Sequence, residues 1–149
     1  MIEPTSISVA SVRTVASAPD PKTDRSLALV LAAAEAADDR KGVDVVVLKV
    51  GEVAYLADYF LIVSGYSPVQ VKAIARSIET RIFEQFGREP MGKEGTADSR
   101  WILQDYGDIV THVFLPEERE LYDLEAFWGH GETLDWEALL AAQAHGQAS

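Results

Sequence analysis

Apolar residues recur at helical spacing in two long segments of the chain. The first covers residues 24–40, with Thr23 or Asp24 as the helix cap. The second covers residues 67–86, with Ser67 as the cap, and a glycine follows it as a stop signal. We therefore predict two amphipathic helices that each offer one apolar face to a core.

Two β-branched runs, residues 43–50 and 59–63, are almost continuously apolar, which is typical of strands buried on both faces. Only about eight residues join them. That connection is too short for the crossover helix that parallel neighbours need. We therefore predict that the two strands are antiparallel neighbours.

A β-hairpin is indicated by two further strand-like runs, residues 100–106 and 109–115. Between them, Gly107 can adopt the positive φ that a tight turn needs. We expect this turn to present Tyr106 and Asp108 at the tip of the hairpin.

The remaining elements are shorter. A short strand is expected around residues 90–91, and two further helices over residues 117–128 and 134–144. In this order, the elements predict an α/β fold, in which helices flank a mixed sheet of about five strands.

Composition divides the chain into three parts. Residues 1–22, rich in Ser, Thr and Pro, are predicted to be a flexible leader, residues 23–130 the folded domain, and residues 131–149 a partly helical tail. No apolar run approaches the roughly 20 residues that span a bilayer, so no membrane contact is expected. We expect a cytoplasmic protein, or one of an organelle stroma or matrix if the leader is a transit peptide.

The net charge of −11 bears on the partners. Such a surface is repelled by phosphate backbones and anionic lipid, so we expect little direct contact with nucleic acid. A basic protein partner fits the charge. The alternative that the acidity only keeps the protein soluble stays open.

The sequence offers little for catalysis. Its 149 residues include no cysteine, which excludes thiol catalysis and Cys-ligated metals. His112 lies in a predicted strand, where a structural role is more common than that of a base, and His130 and His145 lie in weakly patterned segments. Asp105 and Asp108 flank a turn that favours Asp for local hydrogen bonds, so a metal site is the weaker interpretation. No catalytic, cofactor-binding or metal-binding residue is predicted.

The segment Ser64-Gly65-Tyr66-Ser67 lies between a predicted strand and a helix N-terminus, where anions can be held. Nucleotidyltransferases carry a Gly-Ser pair at such a junction and an Asp-x-Asp metal pair a little further on. Here that interval reads VQVKAIARSIE, and the P-loop lysine pattern is also missing. A capped helix is the stronger interpretation, and nucleotide binding is the alternative.

Large amphipathic side chains are concentrated in the last third of the predicted domain, with acidic residues between them. Aromatic anchors within a charged rim are typical of protein-docking surfaces. Equally, the aromatic rings can fill a core. The aromatic residues concerned are Trp101, Tyr106, Tyr122 and Trp128.

Three stretches are similar in order and spacing to the ribosomal silencing factors, the Iojap-related family. They read DYFLIVSGYSPVQVKAIA, GREPMGKEG and WILQDYGDIVTHVFLPEERELYDLEAFW, within roughly two-thirds of the chain. The resemblance implies a nucleotidyltransferase-like fold without the catalytic residues and without a cofactor. It also implies a non-enzymatic repressor that binds the large ribosomal subunit through its fourteenth protein and blocks joining of the small subunit. Homodimers are expected for some members.

Patterning and resemblance together select a set of candidate partner-binding residues on the hairpin and the helix after it. Competing functions are a nucleotidyltransferase-related enzyme and a ribosome assembly scaffold. The candidates are Glu94, Trp101, Asp105, Tyr106, Asp108, His112, Arg119, Tyr122 and Glu125.

Overall fold

The computed structural model describes residues 24–51, 57–123, 126 and 132–148. Four helices and six strands occupy these parts of the chain. The helices are α1 (Arg25–Asp39), α2 (Pro68–Phe86), α3 (Pro116–Tyr122) and α4 (Trp136–Ala148). The strands are β1 (Val43–Lys49), β2 (Tyr59–Ser64), β3 (Gly92–Gly95), β4 (Trp101–Asp105), β5 (Ile109–Phe114) and β6 (Glu132–Leu134).

All six strands form one mixed sheet in the order β3-β4-β5-β2-β1-β6. The predicted antiparallel pairing of β1 with β2 is confirmed, with Val47 opposite Leu61. The predicted hairpin of β4 and β5 is also antiparallel, whereas β2 and β5 run parallel. The α/β fold class is therefore confirmed.

Two edge strands differ from the prediction. The short strand expected around residues 90–91 lies instead at Gly92–Gly95, and β6 was not predicted. All four residues of β3 are exposed, and β6 has only three residues. Neither strand carries the apolar alternation that reveals a half-buried strand in a sequence.

Each of the two long helices begins with a polar N-cap side chain. The Asp24 carboxylate accepts a hydrogen bond from the Leu27 N–H at 2.9 Å, and the Ser67 hydroxyl oxygen accepts one from the Gln70 N–H at 3.1 Å. Gly87 ends α2 in the left-handed conformation, with a φ of 66° that costs glycine little.

The helices α1 and α2 cover one face of the sheet, which we call the helix-covered face. Small side chains of α1, among them Ala33 and Ala37, are fully buried there together with Leu61 and Ile78. The polar side chain of Gln104 at this face is bonded within the chain, since its amide donates to the Ala75 carbonyl oxygen at 2.9 Å. This face holds the larger core cluster.

The C-terminal part of the chain is only partly as predicted. The helix expected over residues 117–128 ends at Tyr122, because Asp123 takes a left-handed φ of 45° and its N–H bonds the Arg119 carbonyl oxygen. The later helix is present as α4. The predicted leader lies outside the described residues. In the described parts of the chain, no helix has the length and apolar character that crossing a bilayer requires.

Candidate protein-docking surface

Alternation along the strands places a second set of side chains on the face opposite α1 and α2. Residues two apart share a face of a strand, so Trp101 and Leu103 of β4 point the same way. The ladder sets Trp101 opposite Phe114, and Leu103 opposite His112. Rings therefore gather on this side. We call the rings of Phe60, Trp101, His112, Phe114 and Tyr122 the aromatic face.

The rings of the aromatic face contact one another in a chain. The Phe60 and His112 centroids lie 5.2 Å apart, those of Trp101 and Phe114 lie 5.6 Å apart, and those of Trp101 and Tyr122 lie 4.6 Å apart. These separations fall within the range of favourable aromatic pairs. Each ring is thus held by its neighbours, and the chain ends at Tyr122, whose residue surface is 49% exposed.

His112 fixes the orientation of Trp101. The Trp101 indole Nε1–H donates to His112 Nδ1 at 3.3 Å, which requires an unprotonated Nδ1. Burial lowers the pKa of His112 to about 4, so the ring is neutral near pH 7. Only 5% of His112 is exposed. Although His112 was predicted as a contact residue, the structure gives it a supporting position beneath Trp101.

A shallow pocket of about 280 Å³ opens at the exposed end of the aromatic face. Apolar and aromatic side chains form much of its wall, and one carboxylate stands at its rim. We call it the Trp101 pocket. It is lined by Glu94, Gly95, Thr96, Trp101, Leu103 and Tyr122.

The backbone around Gly95 holds this pocket in shape. A Cβ atom at Gly95 would lie 2.5 Å from the Trp101 carbonyl oxygen, so only glycine permits the close approach of β3 to β4. The Thr96 hydroxyl oxygen accepts hydrogen bonds from the N–H groups of Arg100 and Trp101, at 2.7 and 3.2 Å. The Glu94-Gly95 pair of the sequence motif therefore sets a carboxylate beside the Trp101 ring.

The expectation that the turn presents Tyr106 is wrong. Tyr106 is fully buried and belongs to the core of the helix-covered face. Its N–H bonds the Ile109 carbonyl oxygen, and burial raises the pKa of its hydroxyl. Because Gly107 takes a φ of 90°, the chain reverses directly after Tyr106 while the ring stays in the core. Tyr106 is therefore unavailable to a partner.

The two turn carboxylates have structural contacts. Asp108 accepts hydrogen bonds from both terminal nitrogens of Arg88, at 2.8 and 3.0 Å. Burial alone would raise the pKa of Asp108, but the hydrogen bonds and charge of Arg88 outweigh it, and the pKa is lowered. Asp105 accepts the Gly107 N–H at 2.8 Å. Among the residues that the structure describes, no three His, Asp or Glu side chains gather as metal ligands would.

The helix α3 connects the aromatic face to the strand ends. Arg119 Nη1 donates to the Ser64 hydroxyl oxygen at 3.1 Å and lies 3.4 Å from the Val43 carbonyl oxygen, so this side chain is directed at the sheet. The ring of Tyr122, one turn later, contacts the ring of Trp101 at an interplanar angle of 41°. Glu125, the third residue predicted for this helix face, lies outside the described residues.

Two backbone N–H groups at the junction between β2 and α2 donate to side chains of the same segment. The Tyr66 N–H donates to the Gln70 side-chain oxygen at 2.7 Å, while the Gln70 N–H donates to Ser67. The Ser-x-x-Gln spacing of a capping box is visible in the sequence, but the Gln70 side chain bonds the N–H of the residue before the cap rather than that of Ser67. The two bonds occupy N–H groups at the start of the helix, where an anion would bind, which disfavours the nucleotide-binding alternative.

Three residues of the Trp101 pocket, Gly95, Thr96 and Leu103, were not among the predicted contact residues. Of these, Leu103 contributes a large apolar side chain. It is half-buried and lies two residues after Trp101 on the same strand. The period-2 alternation of β4 would have placed it beside Trp101, but a single leucine carries no signal of its own for a docking surface.

Comparison with known proteins identifies the family. The profile of the family described as "Ribosomal silencing factor during starvation" matches residues 23–149. The chain is similar to a ribosomal silencing factor of Halalkalibacterium halodurans, with 39% identity over 113 residues that cover 76% of this chain and 96% of that protein. Similarity to the ribosomal silencing factor of Bacillus subtilis reaches 43% over 103 residues, which cover 69% and 86% of the two chains.

The fold agrees with this similarity. A crystal structure of a protein from Chromobacterium violaceum matches with a TM-score of 0.65 and 39% sequence identity, over 68% of this chain and 83% of that one. The similarity in sequence therefore extends to the arrangement of helices and strands. The chain belongs to the ribosomal silencing factor family.

Proposed function

We propose that this protein is a ribosome-associated translation regulator that binds the large ribosomal subunit and sterically blocks joining of the small subunit. The proposed contact is the fourteenth protein of the large subunit, reached through the Trp101 pocket and the acidic surface around it. The observation that carries the proposal is a rigidly held, partly exposed Trp101–Tyr122 pair beside the Glu94 carboxylate. Family membership supports the ribosome as the target.

A steric blocking mechanism requires only that the protein binds the large subunit tightly enough and at a position that the small subunit needs. Large aromatic side chains in preformed pockets supply much of the energy of protein docking. Trp101 is held by Tyr122 on its ring and by His112 on its indole N–H, so little rotamer freedom is lost when a partner binds. The bound protein then occupies volume on the large subunit that the small subunit needs.

Charge selects the partner class. The chain carries a net charge of −11, which attracts a basic ribosomal protein and speeds the encounter. The same charge disfavours binding to exposed phosphate backbones. We therefore expect protein contacts to dominate, and the affinity to fall as the salt concentration rises.

The structure offers the enzymatic alternative less support. At the start of α2, the N–H groups of Tyr66 and Gln70 donate to side chains of the chain itself, so these two groups are not free to hold a phosphate. A scaffold in ribosome assembly would use the same docking surface, and its signature would be binding to large subunits without any effect on joining.

A subunit-joining assay tests the proposal. Purified large subunits are preincubated with the protein, small subunits are added, and the yield of joined ribosomes is read on a sucrose gradient. We expect the yield to fall as the protein concentration rises, and to recover when small subunits are added first. Unchanged yields at a concentration where the protein co-sediments with large subunits would contradict the blocking mechanism and favour the assembly scaffold.

A further inference from the structure

We infer that the Trp101 pocket is a receptor for one arginine side chain of the partner protein. This assignment rests on the proposed function and names the chemical group that the docking surface recognises. The pocket combines aromatic walls with a single carboxylate at its rim. Its volume of about 280 Å³ matches a side chain rather than a whole peptide segment.

The carboxylate in the pocket is that of Glu94. Alternation along β3 sends Lys93 to the helix-covered face, where its Nζ lies 3.4 Å from a Glu79 oxygen. Glu94 points the other way and is exposed, opposite Leu103 in the ladder. Among the described residues, no cation lies within ion-pairing distance of it: the nearby Arg100 guanidinium is placed between Asp98 and Glu118. Glu94 therefore presents negative charge to a ligand.

The aromatic wall determines how a ligand is held. The indole N–H of Trp101 already donates to His112, so Trp101 offers a ligand the π surface of its ring rather than a hydrogen bond. An aromatic surface attracts a cation, and a guanidinium more readily than an ammonium, because its planar group stacks on the ring. Tyr122 adds a second ring to the same wall.

An arginine side chain meets all of these conditions at once. Its aliphatic stem contacts Leu103, its planar head stacks on the rings, and its N–H groups donate to Glu94. An acidic or neutral ligand would leave Glu94 desolvated without a partner, which costs binding energy. Lysine supplies the charge but lacks the planar head.

Two measurements test this assignment. The first is an NMR titration of the Trp101 indole N–H resonance, assigned with Trp101→Phe, using Nα-acetyl-arginine amide at millimolar concentration. We expect a saturable shift with this probe, none with the uncharged citrulline analogue, and a smaller one with the lysine analogue. The Glu94→Gln variant should lose the shift, whereas Glu84→Gln, which removes an exposed carboxylate from α2, should keep it.

The second measurement is co-sedimentation with large ribosomal subunits. We expect Glu94→Gln to weaken binding roughly tenfold or more, as loss of a charge-assisted pair does, and Glu84→Gln to bind like the unmodified protein. If the unmodified protein co-sediments while Glu94→Gln binds equally well and the arginine probe produces no shift, the assignment is overturned and the proposed function stands. If the unmodified protein does not co-sediment, the proposed function fails, and the titration alone decides whether the pocket takes arginine.

Discussion

The two faces of the sheet use apolar side chains for different ends, and the helix-covered face holds the larger core cluster. On the helix-covered face, Leu61 of β2 and Ile78 of α2 are fully buried between the sheet and the helices, and the polar Gln104 is bonded within the chain. On the aromatic face, the contacting rings lead outward from buried Phe114 to partly exposed Trp101 and Tyr122. A face that is closed by its own helices stabilises the fold, whereas a face that ends in exposed, immobilised rings is suited to recognition.

The largest effect on stability is expected on the helix-covered face. Ile78→Ala removes a fully buried side chain from α2 and should lower the free energy of unfolding by about 2–5 kcal/mol, measured by urea denaturation. Phe83→Ala is the matched control, because this side chain of the same helix is 55% exposed and should cost less than about 1 kcal/mol. Equal costs for the two variants would contradict the described packing of α2.

The next largest effect on stability is expected from the buried imidazole of His112, on the aromatic face. The pKa of His112 is about 4 in the folded protein against 6.5 for an unperturbed histidine, because burial disfavours the charged ring. Between these values the unfolded chain binds a proton that the folded chain does not, so stability falls as the pH falls from 6.5 towards 4. Each unit of difference in pKa corresponds to about 1.4 kcal/mol, so the free energy of unfolding should fall by roughly 3 kcal/mol between pH 6.5 and pH 4.

The His112 effect is measured by denaturation between pH 7 and pH 4, with His112→Gln as the comparison. The variant is expected to be less stable than the unmodified protein at pH 7 and to lack this part of the pH dependence. An identical pH slope in both proteins would show that His112 titrates as freely in the folded state as in the unfolded chain.

A smaller effect is expected at the edge of the Trp101 pocket. Gly95→Ala places a Cβ atom 2.5 Å from the Trp101 carbonyl oxygen and should cost roughly 1–3 kcal/mol, as overpacking does. Gly92→Ala, in the same strand, meets no atom within 4 Å and is expected to be nearly neutral. Thermal unfolding of the two variants separates the steric effect from the general effect of adding a methyl group to an edge strand.

The smallest effect is expected at the turn. Asp108→Asn weakens the ion pair with Arg88, in which the two side chains are 27% and 38% exposed, and should cost about 1 kcal/mol or less after screening by solvent. Because this carboxylate serves the fold, the variant should bind large subunits as the unmodified protein does. A large loss of binding with unchanged stability would return Asp108 to the docking surface.

The sequence predicted the elements that have strong periodicity or capping signals. The helices α1 and α2 and the antiparallel pairing of β1 with β2 follow from apolar spacing, caps and the length of one connection. The bounds of β3 were predicted wrongly because it is an exposed edge strand that contains glycine. β6 was not predicted because three residues are too few to show a periodic pattern.

For parts of the candidate site, the sequence predicted the element that carries a residue but not the direction in which its side chain points. Trp101 and His112 were placed on paired strands, yet only the structure shows that one supports the other. Tyr106 was misplaced because a tight turn does not determine which way the ring of its first residue points. The direction of the Tyr106 ring depends on tertiary packing, which the sequence pattern around a turn does not predict.

The most direct test of the docking surface compares two aromatic truncations in co-sedimentation with large ribosomal subunits. Trp101→Ala removes the ring at the centre of the Trp101 pocket, and Phe83→Ala removes an exposed ring on the opposite side of the sheet. We expect Trp101→Ala to weaken binding about thirtyfold, as truncation of a central aromatic anchor does, and Phe83→Ala to leave it within about twofold. Equal binding by both variants, each shown to be folded, would contradict the assignment of the aromatic face as the docking surface.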